Sequence, residues 1–271
     1  MPNRRIRVLP YKLGSLSSKT IAQELNCLQL YPDERSRFRP RASDVIINWG
    51  NSRGLNSQGT TPIFINPPSS VNIASDKLQC LKHLSNTMAG VDFLVPYTED
   101  KYTAECWLED DFDVFARTKL RAHSGEGIVH LTDGDEVPDA PLYTMYIPKV
   151  REYRIHIFNP RDELEMPYHV AQKRRRLNVA DDDVNWQIRN CDNGFVYTVA
   201  DIDMPTLPPE LYEACKAIMR SLDLDFAALD VIRRANTGRY YILEVNTAPG
   251  ISGESTRNFY VTQLKSLLNN I

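Results

Sequence analysis

Glu244-Val245-Asn246-Thr247-Ala248-Pro249-Gly250 ends the last apolar strand pattern of this 271-residue chain, Tyr240 to Val245, and decides how the rest is read. Glu244 and Asn246 are two apart, so on a strand they project to one face. Upstream, Phe226 to Arg233 is a second apolar strand pattern that carries Asp230, and Ala235-Asn236-Thr237-Gly238 supplies a turn between the two. Hairpin pairing then sets Asp230 beside Glu244 and Asn246, and three hard oxygen donors converge. Such a set suits magnesium, which keeps several waters and takes one or two carboxylates together with substrate phosphates. On spacing alone, the same residues also read as solvated strand ends around a polar turn.

Working outward, Leu207 to Leu222 is an amphipathic helix introduced by Pro208-Pro209, and a terminal helix starts near Arg257. Tyr143 to Pro148 and Glu152 to Phe158 alternate like antiparallel strands, with Tyr168 to Lys173 continuing the sheet. Val114 to Thr118, the glycine-bearing His123-Ser124-Gly125-Glu126-Gly127, and Ile128 to Leu131 form a strand, loop and strand. A helix runs around Tyr102 to Leu108. Val91 to Pro96 reads as a strand, and the helix before it, with Leu78, Leu81, Leu84 and Met88, takes Ser75 as its N-cap. The first strand, Arg5 to Leu9, is followed by a helix over Ser17 to Asn26. Asp44 to Gly50 is a buried parallel strand, and Ile63 to Ile65 a third short one. The pattern is α/β with α+β lobes. It divides into 1–75, a small α/β layer, 76–147, a lobe with the glycine loop, and 148–271, a lobe with the oxygen donors.

Composition narrows the function. Lys and Arg number 32 against 35 Asp and Glu, so no global charge draws the chain to polyanions. No run of about 18 apolar residues occurs, and Arg4-Arg5 leads straight into a strand pattern rather than an apolar leader region, so neither a membrane span nor a secretory leader is expected. Cys27, Cys80, Cys106, Cys191 and Cys215 are odd in number and never in a Cys-x-x-Cys pair, which fits a reducing cytoplasmic setting and argues against structural zinc. The run Lys173 to Arg176, followed by Asp181 to Asp183, reads as a solvated surface or a nucleic-acid patch.

The string Glu244 to Gly250 resembles the closing metal-binding motif of the ATP-grasp carboxylate-amine ligases. The likeness runs upstream in order. Ser75-Asp76-Lys77-Leu78 resembles that family's Asn-Lys-Leu helix, and Leu222 to Asp230 resembles its approach to the first metal ligand. The nearest sub-type resembles short ligases common in bacteriophage genomes, related to ribosomal-protein glutamate ligases and more distantly to D-alanine ligases. What the resemblance implies is an ATP-grasp fold with a small N-terminal pre-ATP-grasp domain, an ATP and magnesium (or manganese) requirement, and a cytoplasmic setting, the host's if phage-encoded.

By the same resemblance, Asp230, Glu244 and Asn246 hold metal. Arg117 stands where most members have a phosphate-contacting lysine, with Lys119 as its substitute, so that role is shared. His123, Ser124, Gly125 and Gly127 match the loop that closes over phosphates. Met145, Tyr146 and Ile147 match the segment against which adenine packs, Glu152 the acceptor of ribose hydroxyls, and Lys173 a strand lysine near the phosphates. Arg154, and Arg189 in Arg189-Asn190, match catalytic arginines of the glutamate-ligase branch. Ala228 replaces the arginine that D-alanine ligases carry two positions before the first ligand, which argues against dipeptide formation of that kind.

The reaction implied is ligation of a carboxylate to an amine through an acyl phosphate. A phosphotransferase and a non-catalytic nucleotide-binding protein are the rival readings. Asn48-Trp49-Gly50-Asn51-Ser52-Arg53-Gly54 follows a buried strand, where open α/β sheets place ligands. Asn48, Trp49 and Arg53 are therefore substrate candidates, the alternative for Trp49 being an anchor at the domain interface. Ser252, Glu254, Ser255 and Arg257 are further candidates for holding the carboxylate or amine. Small-molecule or peptide substrates fit, and a modified nucleobase is within range as acceptor. The oligomeric state is not legible.

Overall fold

The computed structural model describes residues 4–271 apart from 34, 56–58, 122–124 and 162, and its described strands form three sheets. The first contains β1 (Ile6–Pro10), β2 (Leu28–Gln29), β3 (Val45–Trp49) and β4 (Ile63–Ile65), all parallel in the order β2-β1-β3-β4, with α1 (Leu16–Glu24) crossing from β1 to β2. β3 is paired on both edges and every residue in it is buried, which is why Val45-Ile46-Ile47 runs apolar without alternation. Buried Asp44 at its head is neutralised by Arg5, whose Nε lies 3.0 Å from Oδ1.

Two helices follow, α2 (Pro68–Ser75) and α3 (Lys77–Asn86). Asp76 between them is extended, and its carboxylate accepts the Gln79 N–H at 3.1 Å. The cap of α3 is therefore Asp76, and Ser75 instead ends the preceding helix. Val91–Phe93 is a 3-10 turn rather than the expected strand. Gly90 is left-handed at φ 63°, so Phe93 N–H closes on Gly90 O at 2.9 Å, and only Leu94 makes a strand-like bridge, to Ile242. A short apolar run satisfies either geometry, and local turn hydrogen bonds decide it here.

The second sheet is antiparallel in the order β5-β8-β6-β7: β5 (Tyr97–Thr98), β6 (Val114–Arg117), β7 (Ile128–Leu131) and β8 (Leu142–Met145). It is backed by α4 (Lys101–Glu109), which Asp100 caps. The third sheet holds β9 (Lys149–Phe158), β10 (Tyr168–Arg175), β11 (Phe195–Thr198), β12 (Phe226–Arg234) and β13 (Tyr240–Asn246), antiparallel in the order β11-β10-β9-β12-β13. The remaining helices are α5 (Pro209–Ser221) and α6 (Glu254–Asn269).

Each sheet takes its strands from one of the segments 1–75, 76–147 and 148–271, but the cores interlock across them. Leu81 and Leu84 of α3 join Leu211 and Ile218 of α5 against Ile155 and Leu229 of the third sheet. Tyr260 and Leu264 of α6 share a core with Val8, Ile47 and Trp49 of the first sheet and with Phe158 and Phe226 of the third. As domain limits, those boundaries are a proposal that rests on strand membership alone.

Trp49 is fully buried, with its ring 5.2 Å from Phe226 and 5.4 Å from Tyr260. Trp49→Ala is expected to cost about 3–5 kcal/mol of unfolding free energy, read from denaturant unfolding. A cost under about 1 kcal/mol would contradict its place in this core.

Candidate active site

Strand register builds the centre of the site. Arg154 on β9 lies opposite Asp230 on β12, and Asp230 opposite Glu244 on β13, so the three side chains form one row across one face. Asn246 lies two pairs further along, opposite Ala228, and so on the same face. The row depends on a β-bulge between Asp230 and Val231. Ahead of it Val231 pairs with Ile242, so unbroken pairing would set Asp230 against Leu243 and turn Glu244 to the other face. Arg154 grips Asp230 bidentately, Nε to Oδ1 at 2.6 Å and Nη2 to Oδ2 at 2.7 Å. Lys77 at the start of α3 lies 3.3 Å from the Glu244 carboxylate.

This row faces a cavity of about 730 Å³ between the second and third sheets. Arg117, at the end of β6, reaches it from one side. Lys149, Lys173 and Arg189 reach it from the other. Burial pushes the pKa values of Arg117, Lys149 and Arg189 down, opposed at Arg117 by the Glu244 charge and at Lys149 and Arg189 by the Glu152 charge. Each of these groups gains from an anion entering the cavity. Lys119 also lines it but pairs with Glu126 of the glycine loop.

The turn is closed by Thr118 N–H on Gly127 O at 2.8 Å. Gly125, at φ +80°, lies where a Cβ would come within 2.7 Å of Ile188, so the loop sits directly against the 188–190 segment. His123 and Ser124 lie outside the described residues.

Glu152 is buried between Lys149, at 3.2 Å, and Lys173. Its expected ribose contact therefore competes with two ion pairs. Lys173 also donates to Arg189 O at 2.7 Å, and Arg189 donates to Lys149 O at 3.0 Å, which ties the 189 loop to β9.

Met145, Tyr146 and Ile147 do not line the cavity. Ile147 is in a core with Val95 and Tyr241, and Tyr146 packs edge-on against Phe115. The wall there is Phe115, Lys149 and Leu243. Ser252 and the first turn of α6 form another part of the wall, whereas Arg257 lies outside it, 3.7 Å from Glu24 of α1. Asn48 is buried, donating to Asn51 O and Asn66 O, and so shapes the loop rather than facing a ligand. Arg53, in the loop after β3, lines a second cavity.

Tyr197 was not singled out by the sequence reading. Its ring lies 4.3 Å from the Arg154 guanidinium and 4.8 Å from the Lys173 ammonium, and its hydroxyl is 3.3 Å from Asp230. Burial, reinforced by Asp230, pushes its pKa well up, so it stays a neutral phenol that braces both cations. The only sequence signal was the short aromatic and β-branched run Phe195-Val196-Tyr197-Thr198. His156, on the same face as Arg154, is held neutral by burial and by the Arg154 charge, with Nδ1 3.1 Å from Tyr260 OH.

Among the described residues no group of three His, Cys, Asp or Glu side chains could hold a metal ion. Asp230 and Glu244 with the Asn246 amide make two carboxylates and one neutral oxygen. That donor set fits magnesium when phosphate oxygens complete the shell. The Arg154 and Lys77 contacts show that both carboxylates favour a cationic neighbour.

Two antiparallel sheets clasping a cationic cavity, behind a small parallel sheet, make this the ATP-grasp fold. The chain is similar over 98% of its length, and 98% of the other's, to D-alanyl-alanine synthetase A from Vibrio cholerae O1 biovar eltor, at TM-score 0.71 and 13% identity. It is similar to the ADP complex of N5-carboxyaminoimidazole synthetase from Staphylococcus aureus, at TM-score 0.66 and 13% identity, over 94% of this chain and 73% of that one. A RiPP-associated ATP-grasp ligase from Chryseobacterium gregarium, in complex with ADP and a leader and core peptide, matches at TM-score 0.63 and 12% identity, covering 98% and 97%. No family model matches the chain, and no curated protein matches it. At these identities the likeness establishes the fold. No described helix is long and apolar enough to cross a membrane.

Proposed function

We propose that the chain is an ATP- and magnesium-dependent ligase that joins a carboxylate to an amine through an acyl phosphate, releasing ADP and phosphate. The observation that carries this reading is the Arg154–Asp230–Glu244 row on the floor of a cavity walled by Arg117, Lys149, Lys173 and Arg189. Ligase neighbours with bound ADP support the nucleotide assignment.

A carboxylate is a poor electrophile at neutral pH. One of its oxygens takes the terminal phosphoryl group, the bond from that phosphorus to the ADP oxygen breaks, and an acyl phosphate forms. The amine then attacks the acyl carbon, loses a proton, and inorganic phosphate leaves with the former carboxylate oxygen. Phosphoryl transfer is mostly positioning and charge neutralisation. In this chain Arg117, Lys173 and Arg189 neutralise phosphate oxygens, Lys119 stands beside the loop, and Arg154 aligns Asp230 while offering charge to the transferring group. Asp230, Glu244 and Asn246 would hold magnesium, which supplies further neutralisation there. The loop at Gly125 to Gly127 limits hydrolysis of the acyl phosphate by covering it.

Turnover is expected to require magnesium or manganese, measured as ADP release with and without chelator. Full activity in chelator would contradict the donor assignment. ATP is also expected to protect Val114–Arg117 and Lys149 to Glu152 from hydrogen exchange by mass action. Protection confined to the first sheet would move the nucleotide out of the proposed cleft.

A further inference from the structure

A second cavity, of about 470 Å³, lies between the carboxyl ends of β1 and β3 and the loop after β13, and it shares Lys77, Glu244 and Asn246 with the first. Among the described residues its wall carries five basic side chains, Lys12, Arg35, Arg53, Lys77 and Arg121, and two acidic ones, Asp33 and Glu244. Three of the cations are engaged: Arg35 donates to Asp33 at 2.9 Å, Lys77 lies 3.3 Å from Glu244, and Arg121 lies 3.4 Å from Asp76. Lys12 lies over the Tyr11 ring at 5.2 Å and Arg53 adds its charge to that of Arg35 beside Asp33, but among the described residues neither is closed into an ion pair. They stand on loops after adjacent parallel strands, where open α/β sheets bind ligands.

The Arg53 loop is built to hold its position. Asn51 Oδ1 accepts the N–H groups of Arg53 and Gly54, each at 2.9 Å, and Asn51 Nδ2 donates to Pro10 O and Pro32 O. Gly50, left-handed at φ +79°, lets this loop close on the metal motif, because a Cβ there would fall 2.6 Å from the Ala248 Cβ. The loop and the oxygen donors are therefore held in fixed relation. An ammonium entering this cavity meets the net positive charge of the described lining residues, whereas a carboxylate is drawn through it toward Lys77.

We infer that this cavity binds the carboxylate substrate and that the substrate carries a second anionic group, a carboxylate or a phosphate, received by Lys12 and Arg53. This rests on the ligase reading, with the reacting carboxylate at the boundary formed by Lys77, Glu244 and Asn246. The test is hydrogen exchange on the full chain saturated with ADP and magnesium, adding glutarate, 3-phosphonopropionate or butyrate at about 10 mM. At least one dianion is expected to protect Tyr11 to Leu13 and Gly50 to Gly54, while butyrate does not. Glutarate protecting alone assigns a second carboxylate, and the phosphonate protecting alone assigns a phosphate. Arg53→Glu, or independently Lys12→Glu, is expected to weaken the apparent dianion affinity at least about tenfold while ADP protection of Val114–Arg117 persists. Butyrate protecting equally, neither dianion protecting, or protection undiminished in both variants would overturn the inference. Absence of ADP protection at Val114–Arg117 in the parent chain would instead sink the ligase reading, and this one with it.

Discussion

Arg154→Ala is expected to lower kcat with any acceptor by about 100-fold or more, because a preorganised charge beside the transferring phosphoryl group is lost. It is also expected to lower the unfolding free energy by about 3 kcal/mol, since Asp230 is left buried without its bidentate partner. Burial pushes the Asp230 carboxyl up, but the charge and hydrogen bonds of Arg154 outweigh it and hold the pKa below the usual carboxylate range. The folded pKa thus lies below the unfolded one, and Asp230 contributes stability that is present above about pH 4 and lost as pH falls. Without Arg154 the main lowering influence is gone and burial is opposed chiefly by the Lys173 charge, so the variant loses less stability than the parent on acidification. Denaturant unfolding at about pH 7 and about pH 3 reads this directly. Equal acid sensitivity in both proteins, with kcat unchanged, would remove Arg154 from both roles. Tyr197→Phe is expected to act more mildly, lowering kcat less than Arg154→Ala, because it keeps the ring beneath both cations and removes only the hydroxyl near Asp230.

Glu244→Gln is expected to remove most turnover, by about 100-fold or more, at nearly unchanged stability. Its side chain is only half-buried and its ion pair with Lys77 is partly solvated, so the amide costs little in folding. What it removes is one of two anionic donors in a set that has no third carboxylate among the described residues. ADP release at saturating ATP and magnesium, with melting temperature as control, checks this. Retention of more than about a tenth of the parent rate would show that Asp230 and Asn246 suffice without it.

The strands that carry the site were legible because they are long, apolar and bounded by turn residues, as at Phe226 to Arg233 and Tyr240 to Val245. Their convergence was legible for a less secure reason. Spacing put Glu244 and Asn246 on one face, but what puts Asp230 there too is a one-residue bulge that no local pattern marks. Arg154 came only from the resemblance, since its pairing with Asp230 is set by register across residues 76 apart in sequence. Tyr197 was missed because a four-residue strand at a sheet edge leaves little periodicity.

Other departures follow the same logic. At Met145 to Ile147 an apolar run was legible, but which cavity or core each side chain entered depended on packing between sheets. Trp49 was open between ligand and anchor, and partners on β12 and α6, far along the chain, place it in the core. The paired cations of the second cavity come from loops after β1 and β3 that parallel pairing brings together, which sequence order alone does not reveal.

The most direct test of the account follows an oxygen atom. The full chain is incubated with ATP, magnesium, hydroxylamine as the amine, and a mixture of amino acids and small dicarboxylates whose carboxyl groups carry oxygen-18. Activation as an acyl phosphate predicts that ADP, a hydroxamate and inorganic phosphate form in equal amounts, with one labelled oxygen in each phosphate released. ADP formed with unlabelled phosphate and no hydroxamate, or with a stable phosphorylated product instead of free phosphate, would contradict it.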